Sequence, residues 1–140
     1  MIKDTGKIVE ELKLSADFRT FYDENKEYMV TSSLSELLKE LMISKGLKKS
    51  AVIKASELSE VYAYQIFSGR RNPERNKLLC LSVGMGLDLG ECQELLRAAG
   101  YQPLYVKLPF DSIVIYGICK KMTVVQINGM LFDYGFETLN

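Results

Sequence analysis

The residues best equipped for chemistry in this chain are cations. Lys45, Lys48, Lys49, Lys54, Arg70, Arg71, Arg75 and Lys77 fall between positions 45 and 77, where only Glu57, Glu60 and Glu74 oppose them. That segment therefore holds a local excess of positive charge, although the whole chain has 18 basic and 18 acidic residues and is neutral. The balancing acidic surplus lies on both sides, in residues 1–44 and 78–140. A cluster of this kind suits contact with phosphate, because the local potential rather than the net charge draws an anion. A solvated charged face is the plain alternative.

Other chemistries lack their groups. The chain has no histidine, so the commonest general base is missing. Its three cysteines, Cys80, Cys92 and Cys119, form no CxxC pair, and neither a zinc site nor any other metal or cofactor is expected. Each cysteine has apolar neighbours and reads as a small buried hydrophobe in a reducing compartment. Gly84-Met85-Gly86 is too short for a phosphate loop and reads as a helix end. The carboxylates fall on polar faces of amphipathic patterns. With no nucleophile–base pair in view, an enzyme is not expected.

The elements that must position the cations are helices. Hydrophobic residues make up 47% and charged residues 26% of the 140, with few Pro and Gly, which suits a globular, all-α chain. There is no apolar run of 18 residues. Lys3, Asp4 and Lys7 make the start polar, unlike a signal peptide. No membrane contact and a cytoplasmic location are the expectations. Residues 1–32 read as an N-terminal helical extension: Ile8, Val9 and Leu12 form a short stripe, and Ser15 is placed to cap a helix bearing Phe18, Phe21 and Tyr22. Thr31-Ser32-Ser33 is a polar break.

Residues 34–45 follow as a helix with Leu34, Leu37, Leu38, Leu41 and Met42 on one face, begun at Ser33 or Ser35 and ended at Gly46. A short helix from Lys48 to Ser56 and another from Ser59, a good N-cap, to Phe67 come next. Gly69 stops the latter. Arg70-Arg71-Asn72-Pro73 is a basic turn, with Pro73 able to open the following helix.

Beyond it the chain repeats itself. Residues 76–104 align without a gap on 111–139. Leu96/Leu131, Gly100/Gly135 and Leu104/Leu139 are identical, while Leu78/Ile113, Leu79/Val114, Val83/Ile118 and Leu87/Met122 keep the apolar stripe. Asp88/Thr123 keep a capping residue, and Tyr101/Phe136 keep an aromatic after the glycine. Each copy reads as a helical hairpin whose last glycine, aromatic and leucine fold back as a clasp.

The stretch 46–73, GLKKSAVIKASELSEVYAYQIFSGRRNP, resembles the Cro/C1-type (xenobiotic-response-element-like) helix-turn-helix family. Gly46, Leu47, Val52, Leu58, Ser59, Ile66, Gly69, Arg71 and Pro73 match its pattern in register. With the helices on either side, the resemblance covers about half the chain. It implies a lambda-repressor-like helix-turn-helix bundle over residues 33–104, extended by a C-terminal helical hairpin at 105–140. It also implies a sequence-specific DNA-binding transcriptional regulator that lays its third helix in the major groove.

Carried over by position, Glu60, Val61, Tyr64 and Gln65 face the bases, and Ala63 and Ile66 point inward. Gln65 can pair bidentately with adenine, Val61 can pack on a thymine methyl, and Glu60 can accept from cytosine N4. Lys48, Lys49, Tyr62, Arg70, Arg71 and Arg75 are the expected backbone contacts. Lys48 and Lys49 stand against the dipole at a helix start, which costs a few tenths of a kcal/mol each unless an anion neutralises them.

Three residues depart from the family pattern. Glu57 stands at the turn glycine, where a left-handed backbone costs about 1 kcal/mol. Ile53 replaces a small alanine, so packing there must change. Phe67 replaces an acid and is either extra core or a partner contact.

The expected partner is double-stranded DNA, bound by a homodimer. The second hairpin either completes the core or meets a partner protein or a second copy. The competing function is a protein-interaction adaptor on the same scaffold, for which Tyr62, Tyr64 and Phe67 would supply the aromatic surface.

Overall fold

The computed structural model describes residues 4–26 and 33–140. Every regular element among them is helical: α1 (Thr5–Leu14), α2 (Phe18–Asn25), α3 (Leu34–Ser44), α4 (Lys49–Ser56), α5 (Glu60–Phe67), α6 (Arg75–Gly84), α7 (Leu89–Ala98), α8 (Pro109–Cys119) and α9 (Val124–Asp133). The all-α class is as expected. The chain divides into two compact units, Met1–Thr31 and Ser32–Asn140. Residues 105–140 do not stand apart; they belong to the second unit.

In the first unit, α1 begins where Asp4 accepts the Gly6 N–H, and α2 begins where Asp17 accepts the Arg19 N–H. Ser15 was expected to cap α2 and does not; it follows the last residue of α1, and its hydroxyl donates to the Asp17 carbonyl. Asp17 is the stronger acceptor and lies closer to the orphan N–H groups. The Thr20 hydroxyl, 2.6 Å away, and the Arg19 N–H hold its carboxyl below the usual carboxylate range. Phe21 and Asn25 are the buried residues of α2, and α1 buries none. Thr31 and Ser32 of the expected polar break lie outside the described residues.

The second unit is built on one recurrent junction. A left-handed residue reverses the chain, an apolar residue turns into the core, and an N-cap starts the next helix. Gly46, Glu57, Gly86 and Lys121 take φ of 62°, 61°, 68° and 56°. Leu47, Leu58, Leu87 and Met122 follow and pack on the core. Lys48, Ser59, Asp88 and Thr123 are the N-caps. At three of the junctions the apolar residue donates its N–H back into the previous helix, as from Leu47 to Met42, Leu87 to Ser82 and Met122 to Gly117. At Glu57 the Ser56 hydroxyl instead accepts the Leu58 N–H.

The core joins Leu38, Ile66, Leu78, Leu81, Leu95, Val114, Ile127 and Leu131. Ile53 is buried, and α4 lies directly on α6 at Gly84, where a Cβ would stand 2.7 Å from the Ser56 nitrogen and 2.8 Å from the Val52 oxygen. The packing change expected at Ile53 is met by burying its side chain in the core, while the close approach at Gly84 is to the Val52 and Ser56 backbone. Pro73 does not open α6; it lies ahead of the N-cap Glu74. Cys80 and Cys92 are buried as expected, but Cys119 is exposed, because it ends α8 beside the turn.

The internal repeat has matching structure. Asp88 and Thr123 each form a capping box, with Glu91 and Gln126. Gly100 and Gly135 are left-handed, and Leu104 and Leu139 are buried. The side-chain amide of Gln93 pairs with both backbone groups of Leu104, and Asn128 Oδ1 accepts the Leu139 N–H. Gln93 and Asn128 are equivalent positions. The first hairpin, α6–α7, is tied to the second by Arg75, whose guanidinium reaches both carboxylate oxygens of the buried Asp111 at 3.3 and 3.1 Å.

Candidate nucleic-acid interface

The sequence places Ser59 just ahead of an apolar i, i+3, i+4 pattern, and this fixes α5. The Ser59 hydroxyl accepts the Tyr62 N–H, and Ala63, Ile66 and Phe67 turn into the core. The opposite side of the helix is therefore left to solvent. Glu60, Val61 and Tyr64 are exposed there, Val61 at 70% and Tyr64 at 47%. Gln65 is half-buried at the edge.

These four residues line one open groove of about 680 Å³. Lys39 of α3, Lys49 of α4 and Arg70 after α5 stand along it, and Phe67 and Ser68 also line it. Phe67 is part of the core, and its ring also carries the Lys49 ammonium 5.1 Å from its centre. That contact holds a cation at the start of α4 without a carboxylate partner. Lys48 is the N-cap of α4 and makes no side-chain cap bond; it is exposed.

The remaining predicted residues lie outside the groove lining. Tyr62 is half-buried, its hydroxyl oxygen accepts the Glu74 N–H, and Arg71 lies over its ring with Cζ 5.0 Å from the centre. Arg71 Nε also donates to Gln65 Oε1 at 2.8 Å. The basic turn after α5 is thus folded back on the helix, and Gln65 is held by its oxygen with its NH2 group still able to donate.

Arg75 is a correction. It was expected on phosphate, but its guanidinium donates to Asp111 and to the carbonyls of Gln102 and Pro103. A buried carboxylate binds it more firmly than a solvated surface would allow. Lys45, another member of the basic cluster, pairs with Glu91 Oε1 at 2.9 Å. Lys39 is the groove cation that sequence reasoning missed. It stands between Glu36 and Glu40 in an acidic stretch, so no charge window could single it out. Only the packing of α3 beside α5 brings it to the groove.

Among the described residues no group of acids or cysteines is placed to hold a metal ion, and no helix is long and apolar enough to cross a membrane. Comparison of the chain with family models, with curated proteins and with solved structures finds no match.

Proposed function

We propose that residues 33–104 form a Cro/C1-type helix-turn-helix domain and that the protein is a sequence-specific DNA-binding transcriptional regulator acting in the cytoplasm. The observation that carries this reading is the groove beside α5: base-reading side chains along one helix, with Lys39, Lys49 and Arg70 around them. In this reading α5 enters the major groove, and Lys48, Lys49 and Arg70 meet phosphates on either side. Gln65 keeps one lone pair on Oε1 beyond its bond to Arg71, which is enough to accept from adenine N6 while Nε2 donates to N7. Val61 supplies an apolar contact for a thymine methyl. Glu60 excludes phosphate from its end of the helix and favours a cytosine amino group.

The test is selection from a pool of random duplexes. The wild type should enrich a defined sequence. Gln65→Ala should relax preference at one position, at a cost of about 1–3 kcal/mol. Lys49→Ala should weaken all sequences alike. Failure to enrich any sequence would count against the reading.

The exposure of Val61 and Tyr64 favours a second reading, an adaptor that offers α5 to a protein. Replacing Lys48, Lys49, Arg70 and Arg71 with Gln separates the two. An adaptor tolerates the change, and a DNA-binding domain does not.

A further inference from the structure

The α8–α9 hairpin bears a second open groove, of about 420 Å³, lined by Ser112, Ile113, Tyr116, Met130 and Tyr134. Tyr116 is 50% and Tyr134 74% exposed. The internal repeat provides a comparison. At the positions of Ile113, Tyr116 and Met130, the first hairpin has Leu78, Leu81 and Leu95, each 0% exposed. There α4 packs on α6 and α3 on α7. Among the described residues 33–140, no such helices lie over the same face of the second hairpin. An outer face left to water in a stack of repeats is ordinarily polar; this one holds two tyrosines, an isoleucine and a methionine.

The charges select the occupant. Lys120 sits at the turn end of the hairpin, its Nζ 5.8 Å from the centre of the Tyr116 ring. Asp133 ends α9 at the opposite end, next to Tyr134. The two ends are roughly 15 Å apart, the length of a ten-residue helix. Lys107 precedes α8 and Glu137 follows α9, one charge of each sign, while the Lys121 ammonium donates to the Gly86 carbonyl. A two-fold axis across the hairpin sets two copies antiparallel. It brings the basic end of each onto the acidic end of the other and stacks apolar groove on apolar groove. A partner of a single charge sign would suit only one end.

We infer that this groove is a homodimer interface whose occupant is the same hairpin of a second copy, antiparallel and two-fold related. The inference stands independently of DNA binding.

Sedimentation equilibrium of the full chain tests it, at concentrations up to about 100 µM, where an interface of modest area associates. The wild type should dimerise. Tyr116→Glu with Tyr134→Glu, both at exposed positions, should leave a monomer with an unchanged circular dichroism spectrum. Lys120→Glu and Asp133→Lys should each weaken the dimer about three- to tenfold, the scale of exposed ion pairs. Together they should restore it, since the swapped charges meet again only between copies. A wild type that stays monomeric overturns the inference and leaves the groove to another occupant. So does a dimer that survives the tyrosine changes, or a double charge swap that fails to recover.

Discussion

Glu57 holds a backbone conformation that glycine adopts most easily, with φ at 61°. The side chain gains nothing visible in return, while its carbonyl accepts from Asn140 Nδ2, a bond that any residue would keep. Glu57→Gly should therefore stabilise the protein by about 1 kcal/mol in urea unfolding; a loss of stability would show that the carboxylate has a role not evident in its contacts. The thiols give a second residue-scale prediction. Burial pushes the Cys80 thiol up to about 11 from 9.0, and burial raises Cys92 as well. Neither forms a thiolate readily, whereas Cys119 is exposed. A thiol reagent at pH 8 should modify Cys119 rapidly in the native protein and all three after denaturation. The sign for stability follows from the same shift. Below pH 9.0 both folded and unfolded thiols are protonated; as pH rises from 9.0 toward 11 the unfolded Cys80 ionises first, so its contribution to stability falls. The inward facing of Ala63 and Ile66 was legible from the resemblance, carried over by position, and both are buried. The bond from Arg71 to Gln65 was not, because it depends on how the basic turn folds back.

At the scale of elements, the chain depends on helices that start and stop where their end residues dictate. The repeat could be read from 76–104 and 111–139 because both copies keep a capping residue, a left-handed closing glycine and an inward leucine. The close approach of α4 to α6 could not. Gly84 stands in a sequence that also fits a helix end, and its packing role appears only where the Ser56 and Val52 backbones meet it. Gly84→Ala would put a methyl group against backbone that cannot swing aside. It should cost about 1–3 kcal/mol by chemical denaturation, against a gain of up to ~1 kcal/mol from helix propensity alone. Arg75 likewise looked like a surface cation within a basic cluster. Its partner Asp111 is 3% exposed and lies far along the chain, a distance that local pattern cannot bridge. Arg75→Ala leaves that carboxylate without its cation and should destabilise by about 3 kcal/mol. Arg75→Ala with Asp111→Ala should cost less than the two single changes added together in a double-mutant cycle. If the protein binds DNA as proposed, Arg75→Ala should leave the salt dependence of that binding unchanged, because the guanidinium is engaged by Asp111.

For the whole molecule, neutrality conceals a division of labour among its cations. Lys45 and Arg75 hold helices together, and Arg71 braces Tyr62 and Gln65. Lys39, Lys49 and Arg70 stand around the groove of α5. The central basic segment was visible in the sequence, but which of its charges face outward together was decided by packing. On the proposed reading, Lys49 and Arg70, together with the exposed Lys48 at the start of α4, meet DNA phosphates. The most direct test is the salt dependence of affinity for a duplex enriched from the random pool, wild type against Lys48→Gln/Lys49→Gln/Arg70→Gln. Each phosphate contact contributes about −0.9 to the slope of log affinity against log salt. The wild type should show a steep slope, shallower by roughly 2–3 in the triple variant. Affinity no tighter than about 10⁻⁴ M at physiological salt, or a slope that the triple variant leaves unchanged, would contradict it.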